Sequence, residues 1–356
     1  MKYLKLFDNH EDYTDFQPDM LTPNVSYCQL EDEVHFNEFR DTRLVAKFNV
    51  TSTSEPTLIA DLEADGDVTN YFSAIEIDGV NMENMSNSYA FGQTGEHIVK
   101  YTLVDPTEVG DYALYGCTNV THVIVPNSVT RIGTSSFEES GLESVNLSKN
   151  LTDIDTYAFQ KCRNIKRVII PDSVTTLGEA VFGDCTSLET VVIGNGVTEI
   201  PYKAFAQCTS LKNVVIPNSV VNIGYQAFYY CTALKQAKFG SGLQEIGEGA
   251  FQSCLSLNCD IVLPSSVTFI GNQAFNTALN SITLTSTTPP RLHSKNSNIE
   301  SNTYVFGFAG TNLSPTPPAK QTYPIYVPSQ SISTYKSAAY WNFYDDDGRI
   351  QASSNS

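Results

Sequence analysis

The stretch Ala204-Phe205-Ala206-Gln207-Cys208-Thr209-Ser210-Leu211-Lys212-Asn213-Val214-Val215-Ile216-Pro217-Asn218-Ser219-Val220-Val221-Asn222-Ile223-Gly224 decides how this chain folds. Leu211, Val214 and Ile216 belong to a short β-rich run, which Pro217 ends because it has no backbone N–H to continue a ladder. Val220 and Ile223 make a second short apolar run, closed by Gly224 at a turn. Ala227-Phe228 then places one bulky side chain beside a small one on a loop or short helical turn, and the pattern begins again. A single unit holds too few apolar residues to bury itself, whereas stacked units share a continuous core.

Outward from this stretch the period is regular. Phenylalanines stand at Phe137, Phe159, Phe182, Phe205, Phe228, Phe251 and Phe275, with spacings of 22, 23, 23, 23, 23 and 24. Leu114 extends the series one step upstream, and Ala158, Ala204, Ala227, Ala250 and Ala274 each precede their Phe. The expectation is a mainly β solenoid of about eight repeats over residues 105–286. Asn258-Cys259-Asp260-Ile261 carries an extra residue, so a bulge or kink is expected there. The motif resembles the BspA-type leucine-rich repeats found in surface proteins of host-associated bacteria and some protists. The stretch from Ile325-Tyr326-Val327-Pro328 through Trp341 to Arg349-Ile350 is similar to the C-terminal cap of such arrays.

The flanks read differently. Residues 41–104 hold short alternating runs (Leu44–Val50, Ala74–Ile77, His97–Leu103) between Gly, Asp and Asn turns, which predicts a small antiparallel, sandwich-like β-domain capping the solenoid. Residues 287–324 contain six prolines, among them Pro289-Pro290 and Pro317-Pro318, and read as an irregular crossing. Beyond them a small α/β cap is expected, with a strand near Ile325–Val327 and a helix over Ile332, Tyr335, Ala339 and Phe343. Residues 1–40 are read as an attachment segment with Tyr27, Cys28, Val34 and His35 as its contact residues. Asn24-Val25-Ser26-Tyr27-Cys28 with Glu33-Val34-His35 is similar to N-termini of structural proteins from phages of anaerobic gut bacteria. The opening residues interrupt their apolar run with Lys5 and Asp8, so no secretory leader is expected.

Charge narrows the function classes. Residues 1–111 carry 22 carboxylates against 6 cations, and the remainder 17 against 15. An acidic front half repels nucleic acid and anionic membrane, and no stretch approaches the ~20 apolar residues of a membrane span. Neither nucleic acid nor membrane insertion is expected as a partner.

Catalytic and metal signals are missing from the motifs. Cys117, Cys162, Cys185, Cys208, Cys231 and Cys254 each lie three residues after their anchor. They lack the close pairing with His that zinc sites use, and the strict period reads as a ladder of buried thiols acting as small hydrophobes. Ser140 and Ala278 fill the same slot, so disulfide pairing is not required. Asp61-x-Glu63-x-Asp65-Gly66-Asp67 begins like a calcium loop, but Phe72 stands where the closing Glu is needed. The five histidines are scattered, and no hydrolase, metalloprotease or phosphate-binding motif occurs. The chain is therefore read as non-enzymatic, with no cofactor and no metal.

A binding surface is the remaining candidate. Strand alternation sends one column outward as Ile124, Asn146, Ile169, Val192, Val215, Lys238 and Val262. Beside it run His122, Ser144, Arg167, Thr190, Asn213 and Gln236, then Thr121, Glu143, Lys166, Glu189, Lys212, Lys235 and Asn258. The expected partner-binding residues are Lys166, Arg167, Val192, Lys212, Asn213, Val215, Lys235, Gln236 and Lys238, an aliphatic stripe with a basic margin. A protein or host-surface ligand is the expected partner, with a homo-oligomer through the chain's own acidic end as the alternative. The resemblance of the N-terminus implies a phage virion component, tail- or fibre-associated, joined to other virion proteins through residues 1–40. The resemblance of the repeats implies a BspA-like bacterial surface adhesin, extracellular or on the cell surface.

Overall fold

The structure, a computed structural model, describes residues 42–60, 67–277, 279–292, 323–339, 341, 344 and 348–353. The chain divides at Arg40/Asp41, and the described residues all belong to the second part. Tyr27, Cys28, Val34 and His35 lie outside the described residues, as do Asp61–Gly66, Phe343 and most of the proline-rich crossing.

The repeats fold as a β-solenoid. Each turn has a front strand of three to five residues, such as Arg167–Ile169 or Asn213–Ile216, and a two-residue flank strand, such as Asn222–Ile223. Both kinds pair in parallel with the next turn, Asn213 opposite Gln236 and Asn222 opposite Glu245. Nine flank strands are described, from Glu108–Val109 to Arg291–Leu292. The ninth lies beyond Phe275, the last anchor, which is why a count of anchors gives eight. The front ladder loses its hydrogen-bonded continuity twice, between Ser144–Asn146 and Arg167–Ile169 and between Gln236–Phe239 and Asp260–Leu263; the second break falls at the extra residue in Asn258-Cys259.

The third side of each turn is the loop that carries the anchor. All seven phenylalanines are fully buried. Their rings stack at centroid distances of 5.1 to 5.6 Å and interplanar angles of 1 to 9°. In the loop of the fourth phenylalanine, Lys203, Phe205 and Gln207 donate N–H bonds to Tyr225, Ala227 and Tyr229 of the next turn at 2.7–3.0 Å. The intervening Ala204, Ala206 and Cys208 donate within their own turn. That alternation needs left-handed backbone at two slots, two residues before and two after the anchor. Lys203 (φ 52°) and Gln207 (φ 61°) occupy them here, as Gln226 and Tyr230 do one turn later. None of the residues with left-handed backbone in these slots is β-branched. Thr277, which is β-branched and sits two residues after Phe275, has no left-handed backbone, and the regular loop ends there.

The cysteines contribute more than small apolar bulk. Each thiol donates to the carbonyl of the anchor one turn earlier: Cys162 to Phe137 at 3.0 Å, Cys185 to Phe159 at 3.1 Å, Cys208 to Phe182 at 3.2 Å, Cys231 to Phe205 at 3.1 Å and Cys254 to Phe228 at 3.2 Å. All five are free and buried. Burial pushes their pKa values up, to about 12 for Cys162 and Cys254 and well above the thiol range for Cys185, Cys208 and Cys231.

Residues 42–103 form a sheet continuous with the first solenoid turns. Leu44–Val50 pairs antiparallel on one side with Gly95–Leu103 and on the other with Val120–Ile124, the first front strand. Phe72–Ile77 continues the sheet beyond Gly95–Leu103, and the pair Thr57–Leu58 and Ser88–Tyr89 forms a second, two-stranded sheet. At the other end Ile325–Val327 and Ile350–Ala352 add two parallel strands to the front sheet. The cap helix is shorter than expected. It spans Ile332–Ser337 and ends because Ala338 turns to extended backbone (φ −75°, ψ 147°), leaving Ala339 exposed in a turn. Aromatic side chains do the capping instead: Tyr323 Oη donates to Phe275 O at 3.3 Å, Tyr335 Oη to Ser286 O at 2.9 Å and Trp341 Nε1 to Pro290 O at 2.7 Å.

Three outcomes test this account. Phe205→Ala leaves a hole in the ring stack and should destabilise the solenoid by ~3–5 kcal/mol in denaturant titration, whereas Thr190→Ala on the outward face should stay within about 0.5 kcal/mol. Gln207→Val forces a β-branched residue into left-handed backbone and should cost roughly 1–2 kcal/mol, whereas Gln207→Gly should cost little. The thiols should resist alkylation until the protein unfolds. Because they keep their protons when folded and lose them above pH ~8.5 when unfolded, the unfolded chain binds fewer protons there and stability falls as pH rises. Each thiol should contribute roughly 1.4 kcal/mol of loss per pH unit from about pH 9 towards the folded pKa. A flat melting temperature between pH 8 and 10 would contradict the thiol assignment.

Candidate partner-binding face

The front sheet presents the outward columns that strand alternation requires. Arg167 stands opposite Thr190 and Ile169 opposite Val192; Thr190 stands opposite Asn213, Asn213 opposite Gln236 and Val215 opposite Lys238. The inward partners Val168, Val191, Val214 and Ala237 are buried. Ile169 is 39% exposed, Val192 38% and Val262 55%, while Val215 is half-buried between its neighbours. Lys166, Arg167, Lys212, Lys235, Gln236 and Lys238 are exposed, and Asn213 is half-buried. Residues expected to share a surface are thus brought together on four consecutive strands.

The margin is less basic than a count of lysines suggests. Lys212 Nζ lies 2.5 Å from Glu189 Oε2 one turn earlier. Both side chains are substantially exposed, so the pair contributes little stability, but it neutralises one cation of the stripe. The signal was present in the sequence, since Glu189 and Lys212 are 23 residues apart, one full turn. At the first front strand, burial and the nearby Lys47 ammonium lower the pKa of His122, whose Nδ1 shares a hydrogen bond with Thr121 Oγ1 at 2.9 Å. His97 is held between Asp78 Oδ2 at 2.7 Å and Gln93 O at 3.0 Å and packs on Phe91, a structural arrangement inside the N-terminal sheet.

A second exposed group was not anticipated. Tyr202 and Tyr225 stack at 5.7 Å and 8° on the outside of the anchor loops, with Lys203 Nζ 5.1 Å from the Tyr202 ring centroid. Their 23-residue separation was the available signal. The two rings cover only their facing sides and stay exposed, 36% for Tyr202 and 42% for Tyr225, an external counterpart of the phenylalanine stack. Among the described residues no group of three or more His, Cys, Asp or Glu side chains could hold a metal ion, and no helix is long and apolar enough to cross a membrane.

Comparison with known proteins bears on the repeats. The family model described as BspA type leucine rich repeat region matches residues 84–212 and 198–305. Among solved structures, the chain is similar to a leucine-rich repeat protein from Eubacterium ventriosum, at 24% identity over 48% of this chain and 46% of that one, with a TM-score of 0.45. It is similar to another from Bacteroides ovatus, at 24% identity over 58% of this chain and 57% of that one, with a TM-score of 0.43. A leucine rich cell surface protein from Faecalibacterium prausnitzii is 23% identical over 58% of this chain and 80% of that one, with a TM-score of 0.29. The chain spans about half the length of the first two. No curated protein matches it.

Proposed function

The chain belongs to the BspA-type leucine-rich repeat family, and on that premise we propose that it is a non-enzymatic binding protein of the cell surface or extracellular space, whose front sheet engages a protein partner. The observation that carries this reading is the exposed run Ile169, Val192 and half-buried Val215 on a flat parallel sheet, with Lys166, Arg167, Lys235 and Lys238 around it. Contiguous apolar surface rimmed by polar groups is what interaction sites expose. A basic margin on a chain of net charge −18 favours a partner carrying acidic groups.

The finer placement in a phage virion, with residues 1–40 as attachment segment, draws its support from the similarity of Asn24–Cys28 and Glu33–His35 to phage structural proteins. Joining to other virion proteins would then run through Tyr27, Cys28, Val34 and His35. A chain beginning at Asp41 should keep its cooperative solenoid melt but fail to enter purified particles. Normal incorporation of that truncated chain would overturn the attachment role.

For the front sheet, a peptide of repeated Glu-Val should bind the intact protein, and the association rate should fall as salt rises. Val192→Asp with Lys235→Glu should abolish binding while leaving the melting temperature within a few degrees, because both residues face outward. Binding unchanged by that double substitution would return this face to a solubilising role.

A further inference from the structure

A second candidate site lies one face away, on the flank near the C-terminal end, and owes nothing to the front-sheet reading. Leu263 is paired with Leu284 and Phe269 with Arg291. Five residues join the paired positions in one turn and six in the next, so the loop over 285–290 carries one residue more than its neighbour. An open groove of about 610 Å³ lies along this longer loop, between the two turns. Ser265, Thr268, Thr285, Thr287, Thr288 and Arg291 supply its polar lining, and Val267 and Pro289 its apolar part.

The groove is built rather than loose. Ser286 Oγ donates to Thr288 O at 2.7 Å, and Thr288 N–H donates to Ser286 Oγ at 3.2 Å. Tyr335 Oη and Trp341 Nε1 hold the Ser286 and Pro290 carbonyls from the capping side. The Arg291 guanidinium rests over the Phe269 ring at 5.3 Å, which restricts a long flexible side chain. Among the described residues no carboxylate pairs with Arg291, in contrast to Arg131, which is met by Glu108, Asp111 and Asp155. Among the described residues no carboxylate lines the groove either, on a chain with 39 of them.

We propose that this groove binds a carboxylate-bearing sugar unit. The Thr268 and Thr285 hydroxyls donate to Gln244 O at 3.4 Å and Leu263 O at 3.0 Å and so present lone pairs, whereas the exposed Ser265, Thr287 and Thr288 hydroxyls can donate or accept, a mixture that matches the vicinal hydroxyls of a pyranose. The fork of a guanidinium matches a carboxylate in two parallel hydrogen bonds, and half-buried Pro289 offers apolar surface to the C–H face of the ring, while Val267 lies buried beneath the groove floor.

The test is isothermal titration of the full chain with 3′-sialyllactose, lactose and acetate, paired with saturation-transfer NMR. Binding of sialyllactose with little response to lactose or acetate is the expected result. Arg291→Ala should weaken it roughly tenfold or more, and Thr287→Val, a rim change away from the charge, should weaken it less. Both side chains are exposed, so melting temperatures should hold. Equal binding of lactose would overturn the role of Arg291, and equal binding of acetate would make the groove a simple anion site. No sialyllactose binding at millimolar concentration, or an unchanged affinity in Arg291→Ala, would remove the proposal, and neither outcome bears on the front sheet.

Discussion

The rest of this structure depends on how one anchor loop meets the next. Each loop must bury a phenylalanine on the ring of the preceding turn and also hand alternate N–H groups to the carbonyls of the following one. Lys203, Phe205 and Gln207 do so towards Tyr225, Ala227 and Tyr229. A right-handed loop would aim those donors inward, at the apolar interior, where unsatisfied amides are costly. Left-handed backbone at Lys203 and Gln207 turns them along the solenoid axis, and roughly 1–2 kcal/mol of local strain at each is offset by three inter-turn hydrogen bonds and a buried ring. The anchor carbonyl then has a lone pair facing the interior, and the thiol of the following turn donates to it. Cysteine suits that slot because it is nearly as apolar as alanine yet carries a weak donor. Serine in the slot makes a different contact: Ser140 is buried and its hydroxyl meets Cys162 Sγ of the next turn at 3.3 Å.

This constraint explains the two ends. A stack of identical turns leaves an open strand edge and an exposed ring at each terminus, both hazards for association. At the N-terminal end Leu44–Val50 pairs antiparallel with Val120–Ile124, and Leu114 replaces the aromatic anchor where no further ring follows. At the other end the loop pattern stops at Thr277, whose branched side chain is unsuited to left-handed backbone. The carbonyl of Phe275 is then met by the Tyr323 hydroxyl instead of a thiol. Arg349, buried under Tyr323 and Tyr344 with its Nε donating to Tyr323 O at 3.0 Å, holds that replacement in place.

Much of this was legible in the sequence because a period multiplies every local signal. One Phe with a preceding Ala means little; seven at one spacing define inward and outward positions for a whole face, and Val191 and Val192 fall on opposite sides as alternation requires. What the period does not encode was harder to read. Tyr335 and Ala339 share helical spacing, but the helix Ile332–Ser337 ends where Ala338 turns to extended backbone, and the Ala338 carbonyl then accepts from Trp341 N–H at 3.1 Å. The thiol–carbonyl bonds were missed because spacing reports where a side chain sits and not which lone pair it meets. The groove at Arg291 lies along a loop with a one-residue surplus outside the anchored repeats, where no period points to it.

The candidate face gains weight from what the fold leaves free. Loop positions are bound by backbone handedness, and flank strands such as Glu199–Ile200 and Asn222–Ile223 alternate one inward with one outward residue. Among the described residues the front columns offer two or three outward positions per turn, some of them tied between turns as Lys212 is to Glu189. β-Propensity alone would favour branched residues in the first of them, yet Asn146 and Lys238 occupy it in strands that still form, although each is the last of its hydrogen-bonded sheet. The scaffold therefore does not demand Ile169, Val192 and Val215 at consecutive turns. Exposed Ile169 and Val192 with half-buried Val215 cost solubility that polar residues would have preserved, and that uncompensated cost is the physical support for the partner face proposed above.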